Sequence, residues 1–273
     1  MSQRWVNSMD SDALLRLNEA VSNLSADVSE FIKQELNRVQ RNEIETKSLN
    51  SLVSYVDKEA ETRLVSGLSK LIPEAGFITE EDTEDQPDNE YVWVVDPLDG
   101  TTNFLYRIPH FSISIALMHN NEPVLACVYE VMQDTAYTAV RGQGAWENNK
   151  KIQVSHNPPE EALVVTGFPY EREGGLDERL KVLKYCLTHY RGMRRLGSAA
   201  LDLAYVAAGK FDIYYENTLN IWDIAAGALL VQEAGGLVSD YQGKQAYLQT
   251  GGIVASSPHL HPDILHEVSS NLE

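Results

Sequence analysis

Cysteine is scarce in this chain: Cys127 and Cys186 are the only two among 273 residues, and both lie in apolar surroundings. Such cysteines are typical of a core, and their number excludes the disulfide framework of a small secreted protein. This usage favours a reducing, cytoplasmic location. The seven histidines include no pair with zinc-ligand spacing, and we predict that His259 and His261 are surface residues.

Basic residues are also few, since 22 lysines and arginines stand against 40 aspartates and glutamates and give a formal net charge of -18. Nucleic acids and anionic membranes bind basic surfaces, so this charge argues against both as partners. It also repels a phosphorylated substrate at long range. A phosphate site in this chain therefore needs a local reversal of charge, which bound cations supply most simply.

Long apolar runs are missing, because the longest, Ile224 to Val231, is far shorter than a membrane span. Residues 1–15 have neither the basic nor the apolar region of a signal peptide. The hydrophobic content of 43% over 273 residues instead suits a globular protein with a substantial core. Such a chain can form one large domain or two fused lobes.

The central stretch of the chain begins as a strand and ends as a turn. Residues 91–95 form an apolar, β-branched and aromatic run that is typical of a strand buried on both faces. Pro97 biases Asp96 towards an extended conformation, and Gly100 lets the chain turn sharply after Asp99. We therefore expect both carboxylates to face one cavity.

The residues after this turn are suited to an anion. Gly100, Thr101 and Thr102 offer backbone N–H groups and hydroxyls at the expected first turn of a helix. Asp-Pro and Asp-Gly dipeptides alone would mark an ordinary loop. Carboxylates beside anion donors instead suggest a metal-bridged phosphate.

Hydrophobic periodicity predicts the elements around this stretch. Apolar residues recur at steps of three and four over residues 11–37 and over residues 54–71, which indicates two amphipathic helices. The polar residues 38–48 are predicted to form a loop. Alternating segments predict antiparallel strands at residues 111–118, 123–130, 135–140 and 151–155, with connections at 120–121 and 142–144.

Beyond residues 157–159 (Asn-Pro-Pro) the pattern changes to alternating strands and helices. The predicted strands are 163–166 and 211–215, and the predicted helices are 176–190, 198–208 and 222–234. We therefore expect an α+β lobe over residues 1–157 and an α/β lobe over residues 158–273, joined in one compact catalytic unit.

Four segments match the motifs of one family. They are the string Asp-Pro-Leu-Asp-Gly-Thr-Thr-Asn-Phe at 96–104, the pair Glu80-Glu81, residues 194–209 (RRLGSAALDLAYVAAG) and residues 222–227 (WDIAAG). In these motifs the chain resembles the inositol monophosphatase family, and its bacterial branch in particular. These proteins are metal-dependent phosphomonoesterases related to fructose-1,6-bisphosphatases. The resemblance implies an α/β (α+β) fold, the layered αβαβα sandwich of this superfamily.

The resemblance also implies a magnesium centre. One ion is held by Glu80, Asp96 and the carbonyl oxygen of Leu98, and a second ion by Asp96, Asp99 and Asp223. Carboxylates so close together raise each other's pKa unless cations neutralise them, and all-oxygen ligands favour Mg2+. Taken alone, Glu80 could belong to a solvated acidic loop, and Asp223 could be an acid favoured at the first turn of a helix.

Further roles follow from the same resemblance. Thr101, whose hydroxyl can bond Asp57, orients the attacking water, and Glu80 assists as the base. Hydrolysis is then a direct in-line attack of metal-activated water, without a phosphoenzyme. The groups implied to hold the substrate are Asp99, Gly100, Thr101, Ser198, Ala199 and Glu216. Glu216, at a predicted strand end, could instead be an exposed surface acid.

One segment departs from the family's pattern. The family usually has Asp before Leu-Val-Thr ahead of the position matched by Asp57, whereas this chain reads KSLNSLVS over residues 47–54. Lys47, Asp57 and Glu81 are therefore matched less closely than the metal ligands.

The function implied is that of a Mg2+-dependent phosphatase of small polyol or sugar monophosphates, with inositol monophosphate as the leading substrate. A fructose-1,6-bisphosphatase or a nucleotide 3′-phosphatase would use the same metal ligands. A regulatory protein that binds the transcription machinery is the alternative of another class, since bacterial relatives are linked to transcription. The resemblance further implies a homodimer and inhibition by lithium.

Overall fold

Two β-sheets separated by a pair of helices form the fold in the computed structural model of the chain. The structure describes residues 9–39, 45–48, 51–53, 55–81, 89–168 and 175–272, and over 45–48 and 51–53 it describes only the backbone. The helices of these residues are α1 (Ser11–Glu35), α2 (Tyr55–Leu71), α3 (Thr101–Leu105), α4 (Leu176–His189), α5 (Ala199–Ala207), α6 (Ile221–Glu233), α7 (Tyr247–Thr250) and α8 (His261–Asn271).

The strands pair into a hairpin and two larger sheets. They are β1 (Glu45–Ser48), β2 (Ser51–Val53), β3 (Gly76–Thr79), β4 (Tyr91–Asp99), β5 (Ser112–His119), β6 (Glu122–Glu130), β7 (Thr135–Val140), β8 (Gly144–Glu147), β9 (Lys150–Ile152), β10 (Leu163–Thr166), β11 (Gly192–Arg194), β12 (Ile213–Glu216), β13 (Leu237–Ser239) and β14 (Ile253–Ser256). The larger sheets have the orders β3-β4-β5-β6-β7-β8-β9 and β11-β10-β12-β14-β13.

Helices α1 and α2 cover the outer face of the seven-stranded sheet. The carboxylate of Asp10 caps α1 by accepting a hydrogen bond from the Ala13 amide at 2.8 Å. Val21 and Ile32 on the apolar stripe of α1 are fully buried. Both predicted amphipathic helices are confirmed, and α1 ends two residues earlier than expected, at Glu35.

In the seven-stranded sheet only β3 and β4 pair in parallel, and the other neighbours pair antiparallel. Every residue of β4 is buried, because α2 covers one face of the sheet and α6 the other. This confirms the strand predicted at 91–95. Three of the four predicted antiparallel segments are present as β5, β6 and β7, and the fourth, predicted at 151–155, is a strand only at its start, in β9. Strand β8 was not predicted because it follows directly on a glycine-rich connection.

The helices α5 and α6 fill the space between the two sheets. Both are rich in alanine, and Ala200, Ala204, Ala225 and Ala228 are fully buried there. Such small side chains let helices and sheets approach closely. Helices α4 and α8 cover the far face of the five-stranded sheet. The order helices, sheet, helices, sheet, helices confirms the expected layered sandwich.

Some elements differ from the sequence-based expectations. Residues 45–48 pair with 51–53 as the hairpin of β1 and β2, although residues 38–48 were predicted to be a loop. Residues 40–44 lie outside the described part. The strands β11, β13 and β14 have three or four residues each, which is too few to show a period.

The prediction that His261 lies on the surface was wrong. Its ring is buried, with Nε2 at 3.0 Å from the Ser239 hydroxyl and Nδ1 at 2.9 Å from the Ser256 hydroxyl. The two serines end β13 and β14, so the histidine fastens the start of α8 to the sheet. Burial lowers the pKa of His261 below its usual range. His259 is exposed, as predicted.

Cys127 and Cys186 are buried and unpaired, which confirms that they are core residues. Residue Asn157 lies in the connection between the two large sheets. Within the described ranges, no helix combines the length and the apolar composition needed to cross a membrane.

Candidate active site

The end of β4 places two acids on one face of the sheet. Asp96 pairs with Ser114 and Asp99 with Ser112, so β4 advances by three residues where β5 advances by two. In a regular strand, residues three apart point to opposite faces, but the extra residue of this β-bulge turns both acids to the same face. The expectation that they share one cavity is confirmed.

The bulge also orients Asp96. Pro97 has no backbone N–H group, so the bulge leaves no donor of this residue without a partner in the sheet. The Leu98 N–H donates a hydrogen bond to Asp96 Oδ1 at 2.9 Å. The Asp96 side chain is only 1% exposed. A backbone group that the bulge removes from strand pairing therefore holds the carboxylate in place.

Gly100 and Thr101 form the turn from β4 into α3. Gly100 has φ 92°, a left-handed conformation that favours glycine. The Thr101 hydroxyl lies 3.0 Å from Asp57 Oδ1 and 3.0 Å from the Leu98 carbonyl oxygen, and its single proton can be donated to either. The predicted hydrogen bond between Thr101 and Asp57 is therefore present, and it ties α3 to α2.

The parallel strand β3 brings Glu80 to the same place. Its last residue pairs with the residue before Asp96, so Glu80 follows β3 beside Asp96. The Glu81 amide donates to Glu61 Oε2 on α2 at 2.9 Å, which fastens the end of this segment to α2. Lys47 lies in β1, where side chains are outside the described structure.

Asp99 is held by the second half of the chain. Its Oδ2 accepts hydrogen bonds from the Ser198 hydroxyl at 2.5 Å and from the Ala200 N–H at 2.8 Å. Ser198 is also the N-cap of α5. Asp99, at the end of β4 in the seven-stranded sheet, is thus bound at the N-terminus of α5, where the helix dipole favours negative charge.

Asp223 enters from the first turn of α6. Its Oδ2 accepts a hydrogen bond from the Asn220 N–H at 2.6 Å, and the Ser114 hydroxyl donates to the Trp222 carbonyl oxygen at 3.2 Å. These bonds fix the start of α6 against β5. As a result, one carboxylate oxygen from each of Asp96, Asp99 and Asp223 lies within 4.8 Å of the other two.

These three acids carry a strong electrostatic conflict. Burial raises the pKa of Asp96 well above its usual range, and the charges of Glu80, Asp99 and Asp223 raise it further. Burial and the Asp99 charge raise the pKa of Asp223 in the same way. Burial raises the pKa of Asp99 to about 6 despite its hydrogen bonds. Within the described residues, none of these three acids forms a salt bridge.

One cleft of about 160 Å³ collects most of the predicted site residues. Asp57 and Glu81 do not line it, and Asp57 is linked to it by the hydrogen bond from Thr101. The predicted residues that line the cleft are Glu80, Asp96, Leu98, Asp99, Gly100, Thr101, Ser198, Ala199, Glu216 and Asp223.

Glu216 lines the same cleft as Asp96, Asp99 and Asp223. It ends β12 and is half-buried, and its Oε2 accepts a hydrogen bond from Tyr214 at 2.8 Å. Burial raises its pKa to about 7. The carboxylate packs against Gly167, where an added Cβ would fall 2.0 Å from it and would force the Glu216 side chain to move. The carboxylate is therefore seated in the cleft, and Glu216 is not an exposed surface acid.

Sequence reasoning missed several groups at this cleft. Arg195 and Phe168 line it, and the Arg195 guanidinium favours the charged forms of Asp99 and Glu216. Arg195 lies two residues before Gly197 in a matched motif, which was the available signal. Phe168 follows a glycine after a predicted strand and carried no comparable signal.

Asn103 joins the two halves of the site. Its Nδ2 donates hydrogen bonds to the carbonyl oxygens of His110 and Leu196, both at 2.8 Å. His110 follows α3, and Leu196 precedes α5. The last polar residue of the central motif thus fastens α3 to the loop that carries Ser198.

Asp202 on α5 is a buried acid behind this cleft. Its side chain is 1% exposed, and its Oδ1 has no hydrogen-bond partner among the described residues. Burial raises its pKa well above the usual range, and the charges of Glu216 and Asp99 add to this rise. In the folded chain Asp202 therefore keeps its proton at pH values where the unfolded chain loses it.

We predict that Asp202→Asn stabilises the protein more at high pH than at low pH. At pH values below the pKa that Asp202 has in the unfolded chain, this carboxyl is protonated in both the folded and the unfolded state. Above that pKa, Asp202 must take up a proton when the chain folds, so the free energy of unfolding falls as pH rises. Each pH unit between the two pKa values costs about 1.4 kcal/mol. Urea unfolding of both proteins at pH 5.5 and pH 8.5 measures the difference, and an equal gain at both values would contradict the assignment.

The chain is similar to known proteins both in sequence and in fold. The sequence profile described as "Inositol monophosphatase family" matches residues 14–273. The Nus factor SuhB of Vibrio cholerae is 40% identical over 242 residues, which cover 88% of this chain and 91% of that protein. The crystal structure of extragenic suppressor protein suhB from Bartonella henselae aligns with a TM-score of 0.89 and 35% identity, over 94% of this chain and 100% of that one. An IMPase of Thermotoga maritima aligns with a TM-score of 0.85 and 32% identity, over 94% and 98%.

Proposed function

Because this chain belongs to the inositol monophosphatase family, we propose that it is a Mg2+-dependent phosphatase of small polyol or sugar monophosphates, with inositol monophosphate as the leading substrate. The observation that carries this proposal is the approach of Asp96, Asp99 and Asp223 within 4.8 Å in one cleft. Fructose-1,6-bisphosphatase and nucleotide 3′-phosphatase activities remain the alternatives of the same class.

The donor set fits magnesium. Glu80, Asp96 and the Leu98 carbonyl would hold one ion, and Asp96, Asp99 and Asp223 a second. All of these ligands are oxygens, and the buried acids need countercharge because they raise each other's pKa. When bound, the ions supply the positive charge that a phosphoryl group requires at its attacking and leaving oxygens.

The chain's own groups orient the reactants. Thr101 lines the cleft, and when its hydroxyl donates to Asp57 its oxygen can still accept a hydrogen bond from the attacking water. Glu80, on the same wall, can take the proton of that water. The Gly100 and Thr101 amides start α3 and can hold phosphate oxygens.

Phosphate release from a substrate panel, with and without magnesium, tests the proposal. The panel comprises inositol monophosphate, fructose 1,6-bisphosphate, a nucleoside 3′-phosphate and glycerol phosphate. We expect magnesium-dependent release, fastest from inositol monophosphate. Absence of release from every ester at saturating magnesium would rule out the enzymatic function.

Glu216→Gln should lower kcat/KM for inositol monophosphate by about 10- to 150-fold, because hydrogen bonds to a charged group contribute about 1.5–3 kcal/mol. Glycerol phosphate, which lacks the ring, should be affected little. Since the pKa of Glu216 is about 7, the difference should be larger at pH 8 than at pH 6. Equal losses for both esters at saturating magnesium would instead place Glu216 in the catalytic or structural framework.

Lithium should inhibit the enzyme at tens of millimolar, the approximate scale on which a weak monovalent site fills. A small ion with one charge at the site of Asp96, Asp99 and Asp223 cannot stabilise the leaving oxygen as a divalent ion does. The measurement is phosphate release in lithium chloride against equal potassium chloride. Full activity in lithium would remove the support for this shared site.

A second function is favoured by the relatives, since the protein of Vibrio cholerae is a Nus factor. We propose as the alternative that this chain binds the transcription machinery. Co-sedimentation with purified RNA polymerase tests it, and an inactive Asp223→Asn chain that still binds would separate the two functions.

We further propose a homodimer, a cytoplasmic location suggested by the two unpaired buried cysteines, and the division into lobes at residue 157.

A further inference from the structure

Strand β5 differs in composition between its two faces. The odd-numbered residues of 113–117 are apolar and pack with α1 and α2 on the outer face. On the inner face, towards α5 and α6, Ala116 and Met118 are apolar, whereas Ser112 and Ser114 are polar. Both serines are almost completely buried. Burial of a hydroxyl group is costly unless it is hydrogen-bonded, so each serine requires a partner.

The two serines lie directly opposite the two acids of β4. Ser114 pairs with Asp96 and Ser112 pairs with Asp99, and residues paired across two strands point to the same face of a sheet. Four polar side chains therefore form one patch where β4 ends and β5 begins. On this face the hydroxyl of each serine contacts the first turn of a different helix, α5 for Ser112 and α6 for Ser114.

Ser112 acts on Asp99 through Ser198. The Ser198 hydroxyl has a single proton, which it donates to Asp99 Oδ2 at 2.5 Å. In the 3.3 Å contact between the two serine hydroxyls, the donor is therefore Ser112 and the acceptor is Ser198. Hydrogen bonds in such a chain polarise and strengthen one another. The hydroxyl of Ser112 thus strengthens the bond that holds Asp99 at the start of α5.

Ser114 acts on Asp223 through the backbone of α6. Its hydroxyl donates to the Trp222 carbonyl oxygen at 3.2 Å, and this carbonyl group is bonded to the Asp223 nitrogen. Asp223 is the third residue of α6, so the hydrogen bond fixes the first turn of the helix, and with it this carboxylate, against β5. Neither Ser112 nor Ser114 lines the cleft. Both serines can therefore influence the site only through the groups that they hold.

We propose that Ser112 and Ser114 are positioning residues for Asp99 and Asp223, the two carboxylates that bind the second magnesium ion and not the first. This inference rests on the proposed function, in which only Asp96 is shared by both ions. Because the two serines belong to one strand, the starts of α5 and α6 are placed relative to the same rigid element. Supporting hydrogen bonds of this kind hold metal ligands in the geometry that an ion requires.

Calorimetric titration of the metal-free protein with Mg2+ tests the proposal without substrate. Ser112→Ala and Ser114→Ala should each raise the dissociation constant of one ion about 2- to 12-fold, which is the usual effect of one hydrogen bond, and leave the other constant unchanged. The affected ion should be the one that Asp223→Asn binds most weakly. Ser29→Ala is the matched control, because Ser29 is a buried serine of α1 whose hydroxyl donates to the Ala26 carbonyl oxygen at 2.8 Å. This control should leave both constants unchanged.

Phosphate release gives a second measurement on the same variants. The magnesium concentration that gives half of the maximal rate should rise in Ser112→Ala and Ser114→Ala, while kcat at saturating magnesium should change little. A general structural defect would instead lower kcat at every magnesium concentration, and urea unfolding in a chelator shows that each variant is folded.

Three results would overturn the proposal and leave the phosphatase standing. They are a loss of affinity for both ions, a loss for neither ion, and a loss in Ser29→Ala as large as in the two variants of β5. A parent that binds no magnesium would overturn the proposed function itself and this inference with it.

Discussion

Asp223→Asn should lower phosphate release by more than about 100-fold at ordinary magnesium concentrations. Groups that only support a metal ligand typically contribute 10- to 100-fold, so the loss of a direct ligand charge should exceed that range. The substitution keeps the side-chain shape, and the amide oxygen can still accept the hydrogen bond from Asn220. Initial rates measured against magnesium concentration give the result, and unchanged activity at limiting magnesium would count decisively against the assignment.

The same Asp223→Asn variant should be more stable than the parent when metal is removed. In a chelator the parent holds three neighbouring acids, two of them buried, whose charges raise the pKa of Asp96 and Asp223, so the removal of one charge should raise the unfolding temperature. Asp12→Asn is the matched control, because Asp12 is an exposed acid in the first turn of α1. It should lower stability slightly through the helix dipole and leave activity unchanged. If Asp223→Asn behaves like this control, Asp223 is only a first-turn acid.

Thr101→Val should lower kcat by about 10²- to 10⁴-fold, which is the usual contribution of a group that positions or transfers a reacting proton. Valine has nearly the shape of threonine, but it removes the hydroxyl that links Asp57 to the cleft. Single-turnover rates at saturating magnesium measure the chemical step. Thr62→Val is the control, since Thr62 lies on the exposed side of α2 with its hydroxyl bonded to the Lys58 carbonyl.

The binding of metal should survive this change. Thr101 is not among the proposed ligands, so the magnesium dependence of the residual rate should match that of the parent. If the residual rate needs a higher magnesium concentration than the rate of the parent, then Thr101 acts through the Leu98 carbonyl, to which its hydroxyl can also donate. A rate within a few-fold of the parent would remove Thr101 from the mechanism.

Strong local patterns made much of the fold predictable. The strand at β4 and the helices α1, α4 and α6 have long apolar runs or clear periods. The structure has the three helices within two residues of their predicted ends, whereas β4 begins where predicted and continues four residues further, to Asp99. The placement of the acids was also predictable, because motifs of several residues resemble those of a known family. Their roles stay predictions until the variants are measured.

What could not be predicted depends on contacts between distant residues. The spacing of Asp96 and Asp99 alone would put them on opposite faces of a strand, and only the pairing with Ser112 and Ser114 reveals the bulge. The burial of His261 likewise depends on serines in two short strands. Asp202 gave no signal, because an acid inside a helical motif shows its burial only once the sheets have packed around it.

Asn103 has a consequence for how the site opens. Its amide is shared between the turn after α3 and the loop before α5, so neither segment can leave the cleft without breaking a partly buried hydrogen bond. Hydrogen exchange should therefore find the amides of α3 and those at the start of α5 exposed together, as one cooperative unit. The two walls of the cleft would then open together, and the protein would lose and regain the arrangement of its whole candidate site in a single event.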